Sequence, residues 1–213
     1  MIMRPSLLNY IVILLTVGNI NAQNFEGTVL YQNKYQSKAP NISNEQLSNR
    51  LGSMQKELIS STGDYKNIFN GSFIKEQLYK IDENKAYTLL ASSDVWYYED
   101  YGENKDKALS FEFSENVDTI LGLNCNVISV KTETGYIKFF FNDKYKIDPE
   151  LYYKHLYGNW YYILSKTKSI PLKVIYDTPK FTMISEAVSV EEQELDETDF
   201  RLPINAKTSP ANW

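Results

Sequence analysis

Alternating apolar and polar positions predict an extended start to the folded part of the chain. Between Phe25 and Tyr35, one strand face carries Phe25, Gly27, Val29, Tyr31 and Tyr35, and the other carries Glu26, Thr28, Gln32 and Lys34. A two-residue period is typical of a β-strand with one buried face. We therefore predict a half-buried first strand over 25–35, which ends before Pro40.

The period becomes helical between Ser43 and Ser60. The apolar positions at three- and four-residue spacing are Leu47, Leu51, Met54 and Leu58. Ser43 and Gln46 have the spacing of an N-terminal capping box. These features predict an amphipathic helix over 43–60 that lies on a sheet. Gly52 falls inside this helix, at a cost of about 1 kcal/mol relative to Ala.

Short extended segments separated by turn-forming residues follow this helix. The predicted strands cover 64–69, 73–81, 86–91, 95–98, 109–114, 123–131 and 136–141. Asn70-Gly71 is a strong hairpin signal between the first two strands. Residues 99–107 read as a polar loop, and 132–135 as a turn. This spacing predicts an antiparallel meander.

The last third of the chain predicts a second helical segment and three more strands. Asp148 suits the N-cap and Pro149 the first helical position, so this segment is predicted to run to Tyr157. The strands are predicted at 160–165, 172–176 and 181–190. Residues 204–213 are expected to form a polar, frayed tail.

These elements predict a mainly β (α+β) domain over 23–203. The expected architecture is a single curved antiparallel sheet or half-open barrel, covered by the helix at 43–60 and the short second helix. The chain contains 17 Tyr, 10 Phe and 3 Trp. Aromatic residues suit half-buried sheet faces, and they also line ligand pockets. An incompletely filled sheet would therefore leave an aromatic groove.

Residues 1–22 have the pattern of a secretory signal peptide. A basic start precedes an uncharged apolar run from Leu7 to Val17, and the segment ends at the small residue Ala22. The apolar run is shorter than the roughly 20 residues of a membrane-spanning helix, so cleavage is favoured over an uncleaved anchor. We expect cleavage after Ala22 and a periplasmic or secreted protein. No Cys lies near this site, so a lipoprotein is not expected.

Net charge argues against nucleic acid as a partner, and the cysteine count excludes an internal disulfide as a source of stability. Cleavage would remove Arg4 and leave 21 basic against 27 acidic residues, because the full chain has 22 and 27. A mildly acidic chain lacks the basic footprint of a nucleic-acid-binding protein. Cys125 is the only cysteine, so no internal disulfide forms. We interpret it as a small buried residue of a strand.

Residues that could carry catalysis are scarce. His155 is the only histidine, has no nucleophile motif nearby, and is expected at the surface or at a helix end. One His and one Cys cannot supply a typical zinc site, and no cofactor or metal is expected. Glu191–Asp199 lacks the spacing of a Ca²⁺ loop and is expected to be a solvated strand end.

Acidic residues around Trp96–Tyr98 leave a glycan-active hydrolase as a third interpretation. They are Asp94, Glu99, Asp100 and Glu103. A glycosidase needs two carboxyl groups roughly 5 or 6.5–9.5 Å apart, a separation that a sequence does not reveal.

Four short segments resemble a family of uncharacterised exported proteins of Bacteroidetes-type bacteria. They are Phe25–Tyr31 (F-E-G-x-V-x-Y), Asp118–Cys125 (D-T-I-L-G-L-N-C), Ile170–Val174 (I-P-L-K-V) and Leu195–Pro203 (L-D-E-T-D-F-R-L-P). The motif that names the related GLPGLI-like families is missing. The resemblance implies a fold similar to the LolA/LolB-like periplasmic lipoprotein carriers, which are half-open β-barrels capped by helices around an acyl-chain cavity. It supplies no catalytic residues, and a shared fold does not transfer an activity.

The sequence favours a non-catalytic envelope protein that binds an apolar or amphiphilic ligand, such as a lipid or a lipoprotein acyl chain, between sheet and helix. The predicted lining residues are Tyr31, Leu78, Trp96, Phe139, Phe141, Trp160 and Tyr162. The alternative is a protein-interaction or structural module of the cell envelope that uses a sheet face or an edge strand. The expected partners are thus an amphiphilic small molecule or an envelope protein, with no nucleic acid and no transmembrane segment after cleavage.

Overall fold

The computed structural model describes residues 24–212, which form one open sheet of twelve strands with two short α-helices. The strands are β1 (Gly27–Ser37), β2 (Met54–Ile59), β3 (Tyr65–Phe69), β4 (Ile74–Lys80), β5 (Lys85–Leu90), β6 (Val95–Asp100), β7 (Ala108–Ile120), β8 (Leu123–Thr132), β9 (Tyr136–Phe141), β10 (Lys173–Asp177), β11 (Phe181–Glu192) and β12 (Lys207–Pro210). The helices are α1 (Asn44–Leu51) and α2 (Trp160–Thr167), and 3₁₀ turns cover Pro149–Tyr152, Tyr157–Asn159 and Glu197–Phe200. The predicted mainly β fold is confirmed. The predicted signal peptide lies outside the described residues.

Two meanders meet at the centre of the sheet. The strand order is β12-β6-β5-β4-β3-β2-β1-β11-β10-β9-β8-β7. Strands β1 to β6 run outwards from the centre, and β7 to β11 return from the opposite edge until β11 pairs with β1. Every neighbouring pair is antiparallel except β12 with β6. The loop between β6 and β7 therefore joins strands from opposite halves of the sheet.

The larger core lies on the face that contacts α2. Trp160 of α2 packs between Tyr65 of β3 and Phe139 of β9, with ring centroids 6.2 and 6.1 Å away. These two strands are five places apart in the sheet, so the sheet must curve around the helix for one side chain to contact both. Ile163 and Leu164 of α2 are also buried there.

A second core lies on the opposite face of strands β2 to β6. Its buried members are Leu58, Leu78, Tyr87, Trp96 and Phe200. The segment after β11, which contains the 3₁₀ turn at Glu197–Phe200, covers this face. Adjacent strand residues point to opposite faces. Leu78 accordingly belongs to this core, whereas Tyr79 belongs to the larger one.

The predicted helix over 43–60 is wrong in its second half. The capping box is present, because Ser43 N–H donates to Gln46 Oε1 at 2.8 Å and Gln46 N–H to Ser43 Oγ at 3.1 Å. The helix ends at Gly52, whose φ of 97° is a left-handed conformation that favours glycine. Beyond it, β2 pairs with β1. The four-residue spacing of Met54 and Leu58 was therefore not helical.

The assignment of 160–165 to a strand is also wrong, since these residues begin α2. The predicted helical segment that ends at Tyr157 consists instead of two 3₁₀ turns. Asp148 is its N-cap as predicted, and its carboxylate accepts from Glu150 N–H at 3.0 Å. The frayed tail expected after Pro203 is wrong for Lys207–Pro210, which form β12.

Candidate functional site

The seven predicted lining residues do not line one cavity. Tyr31, Phe139 and Phe141 are buried in the larger core, and Trp160 and Tyr162 pack against it. The remaining two, Leu78 and Trp96, are buried in the second core on the opposite face. The alternation of strand side chains separates these two sets, and close packing fills the space around the buried members.

An open groove of about 690 Å³ lies between the β6–β7 loop and α2. Its lining residues are Gly102, Glu103, Asn104, Lys107, Ala108, Leu156, Asn159, Tyr161, Tyr162 and Ser165. Of the seven predicted residues, only Tyr162 is among them. The groove therefore lies beside the packed core rather than inside it.

Asn159 fixes the wall of this groove to the helix. Its side-chain Oδ1 accepts from Asn104 Nδ2 at 2.6 Å and from Ala108 N–H at 2.9 Å, and its Nδ2 donates to Asp106 O at 2.8 Å. Asn159 is buried and has a φ of 60°, a left-handed conformation that asparagine adopts more readily than most residues. Three hydrogen bonds from one amide thus hold the loop at 104–108 against the start of α2.

The two walls of the groove differ in chemistry. The loop contributes the charged residues Glu103 and Lys107 together with the Asn104 amide, whereas Leu156 and the ring of Tyr162 are apolar. The Tyr161 hydroxyl donates to Glu150 Oε1 at 3.2 Å, which anchors that ring. A polar wall facing an apolar wall suits a ligand with a polar head and an apolar body.

An exposed apolar strip continues from the groove along β7. Phe111 contacts the Tyr162 ring at 6.2 Å between centroids, and Phe113 contacts Phe141 at 6.0 Å. Leu109 and Val117 on the same strand are exposed as well. Lys166 of α2 lies over the Phe111 ring, 5.6 Å from its centroid. Strand β7 ends the strand order, so this strip borders a sheet edge.

Glu57, which falls within the predicted helix over 43–60, is a buried carboxyl of the sheet. It lies on β2, is 7% exposed, and shares its face with Val29 and Tyr31. Burial raises the pKa of Glu57 to about 7, although the Tyr31 hydroxyl opposes this rise. As a strand residue, Glu57 lies on the face opposite Leu58, and each of these two faces of β2 is covered by a core.

His155 is buried, which contradicts the expected surface or helix-end position. It is 2% exposed, and its Nε2 lies 2.8 Å from the Tyr65 hydroxyl. Burial lowers the pKa of His155 to about 3, so the ring is neutral at physiological pH. The rings of Tyr79 and Tyr101 lie within 5 Å of it between centroids. His155 thus belongs to an aromatic core cluster. Cys125 is buried in β8, as predicted.

The acidic residues around Trp96 do not converge on a sugar-binding platform. Trp96 is buried in the second core, and Asp94 pairs with Lys207 of β12 at 2.6 Å. Glu99 projects from the opposite face of β6, because it pairs with Ala86 of the larger core. The Asp100 carboxylate accepts from Gly102 N–H at 2.7 Å. Within residues 24–212, no group of three or more His, Cys, Asp or Glu side chains is placed to hold a metal ion.

Comparisons with known proteins give only a distant structural likeness. No protein-family model matches this chain, and no curated protein matches it. A solved structure described as PNGF-II in a C2 space group is similar over 87% of this chain, with 14% sequence identity and a TM-score of 0.46. The match covers 31% of that structure's chain, so this chain spans under a third of its length. No α-helix among residues 24–212 is long and apolar enough to cross a membrane.

Proposed function

We propose that this protein is an exported, non-catalytic binding protein whose groove beside α2 takes an amphiphilic ligand. The observation that carries the proposal is the groove of about 690 Å³, which falls within the size range of small-molecule sites. The ligand's apolar body lies against Tyr162 and Leu156, and its head lies beside Lys107 and Asn104. The site differs from the buried sheet–helix cavity expected from sequence.

Preorganisation of the loop supports a binding role. Asn159 holds the wall at 104–108 through three hydrogen bonds, and Asp106 is held in turn by Thr134 N–H at 2.9 Å. A wall that is already ordered loses little conformational freedom when a ligand binds, which favours affinity.

A fluorescent long-chain fatty acid tests the groove directly. We expect saturable binding to the delipidated protein, and about tenfold weaker binding when Tyr162→Ala removes the apolar wall. Tyr153→Ala is the matched control, because Tyr153 is exposed and lies outside the groove. Absence of saturable uptake, or equal loss in both variants, would overturn the proposal.

The charge of the ligand head provides a second readout. Lys107→Glu reverses the only cation among the groove's lining residues. This change should weaken binding of the anionic fatty acid more than binding of an uncharged monoacylglycerol probe of equal chain length. An equal effect on both probes would place the head away from Lys107.

A second candidate function, the protein-interaction module of the envelope, is favoured by the exposed strip on β7. An edge strand accepts another strand through its unpaired backbone groups. If the protein is such a module, substitutions on β7 should abolish its association with an envelope protein. Tyr162→Ala should leave that association intact.

A further inference from the structure

Strand β7 is a long edge strand with an unusual exposed face. It has thirteen residues and ends the sheet order, so one row of its backbone groups has no partner strand within residues 24–212. Phe111 and Phe113 are 45% and 46% exposed, and Leu109 next to them is also exposed. Natural proteins usually protect such edges with charges, prolines, bulges or short length, because edges pair with other chains. β7 has two register irregularities, but Ser110–Ser114 between them pairs regularly with β8 and carries Phe111 and Phe113 on one face. An apolar edge of this kind indicates an interface.

We propose that a second copy of this chain occupies the edge, with the two β7 strands antiparallel about a two-fold axis at Phe111. Register irregularities interrupt β7 between Ala108 and Ser110 and again between Ser114 and Asp118. Ser110–Ser114 therefore pairs regularly with β8, and Leu109 is the extra residue of the first irregularity. In this register Phe111 faces its own counterpart and Leu109 faces Phe113 of the second copy. The interface is isologous, as a two-fold dimer requires.

Neighbouring registers are less complementary. An axis at Glu112 would place the two Glu112 carboxylates opposite each other, which is unfavourable. With an axis at Phe113, Phe111 would face Glu115. With an axis at Ser110, Phe113 would face Lys107. Only the axis at Phe111 pairs all three apolar side chains with apolar side chains.

Charges on the other face of β7 favour the same register. Glu112 pairs with Ser129 of β8, and Ser110 pairs with Lys131. In the proposed dimer, Glu112 of one copy faces Ser110 of the other, with Lys131 on the next strand. Because serine is short, the Lys131 side chain can extend over it towards the carboxylate. Within the described residues, neither Glu112 nor Lys131 belongs to an ion pair that would compete.

The small interface predicts a weak, reversible dimer. Seven residues per copy fall at the low end of the area that stable complexes bury, so we expect a dissociation constant in the micromolar range. Sedimentation velocity on the purified protein, up to roughly 300 µM, should show a monomer–dimer equilibrium. Phe111→Lys should weaken this dimer at least about tenfold, because it places two cations opposite each other. Tyr136→Lys, at an exposed aromatic of β9, should leave the dimer unchanged.

Cysteine cross-linking tests the register itself. Directly opposed residues of antiparallel strands have Cβ atoms about 4.5–5.5 Å apart, close to the separation in a disulfide. Phe111→Cys should therefore form a disulfide-linked dimer under mild oxidation. Phe113→Cys, which is equally exposed, should not, because its two copies would lie about 14 Å apart along the strands. Mixing Leu109→Cys with Phe113→Cys should restore cross-linking.

A monomer at all concentrations would overturn the proposal, as would equal cross-linking of the Phe111→Cys and Phe113→Cys proteins. Persistence of the dimer in folded Phe111→Lys protein, checked by circular dichroism, would also refute it. The proposal does not depend on ligand binding in the groove. Fatty-acid uptake and self-association can therefore succeed or fail separately.

Discussion

The buried carboxyl of Glu57 should make the stability of this protein depend on pH near neutrality. The titratable side chains that influence it electrostatically are tyrosines: Tyr31, Tyr65, Tyr152 and Tyr176. Burial raises the pKa of each of these tyrosines, so they stay neutral where Glu57 titrates. None of these four side chains is cationic, so none of them offsets the cost of burying an ionised Glu57.

The sign and size of the effect follow from the pKa of Glu57. Its pKa is about 7 in the folded protein against an ordinary value of 4.5. Well below pH 4.5 the group is protonated in both states and carries no penalty. As pH rises from 4.5 to 7, the unfolded chain ionises first and the folded state loses stability. A difference of about 2.5 pKa units corresponds to a loss of about 3 kcal/mol above pH 7.

Urea unfolding of the parent protein and Glu57→Gln between pH 4 and pH 8 would measure this loss. The variant cannot ionise, so its free energy of unfolding relative to the parent should increase by about 3 kcal/mol across this range. Any constant offset from amide packing cancels in that comparison. Glu194→Gln, at an exposed position, should show a flat difference. A flat difference for Glu57→Gln as well would refute the reasoning that burial dominates at this carboxyl.

Three further experiments test the packing of the groove wall, the second core and β8. Asn159→Gly keeps the left-handed backbone but removes three hydrogen bonds, so we expect a loss of about 2 kcal/mol in urea unfolding and amide shift changes at 104–108 in NMR spectra. Phe200→Ala should cost about 3–5 kcal/mol through the second core, whereas Phe73→Ala at an exposed ring should cost far less. Cys125 is buried, and burial raises the pKa of its thiol, so a thiol reagent should react only when the protein unfolds. Rapid reaction in native buffer would show that β8 opens.

Strands such as β1, β4, β8 and β9 were predictable from the sequence because strand alternation is local. The hairpin at Asn70-Gly71 and the alternation in β1 need no knowledge of distant residues. Between 43 and 60 the local pattern predicted too long a helix, because Met54 and Leu58 continue the helical spacing of α1. These two residues instead belong to β2, which pairs with β1. Gly52 was the available signal for the end of α1. In α2, the helical spacing of Ile163, Leu164 and Thr167 was present beneath an aromatic, strand-like composition.

The groove could not be predicted because its walls come together through distant contacts. Asn159 and Asn104, which hydrogen-bond to each other, are 55 residues apart in sequence. The face on which an aromatic side chain falls also depends on register, which separates Leu78 from Phe139. The aromatic composition therefore predicted a sheet rich in aromatic side chains, but it did not predict which of these side chains are exposed to solvent.

The two cores back onto the same strands, because β2, β4 and β5 contribute buried side chains to both. A backbone layer covered on both sides opens to water only when one covering layer detaches. We expect amide hydrogens of these three strands to be the last to exchange with deuterium, close to the limit set by complete unfolding. In the monomer, the outward-facing amides of β7 should exchange within the dead time of the experiment.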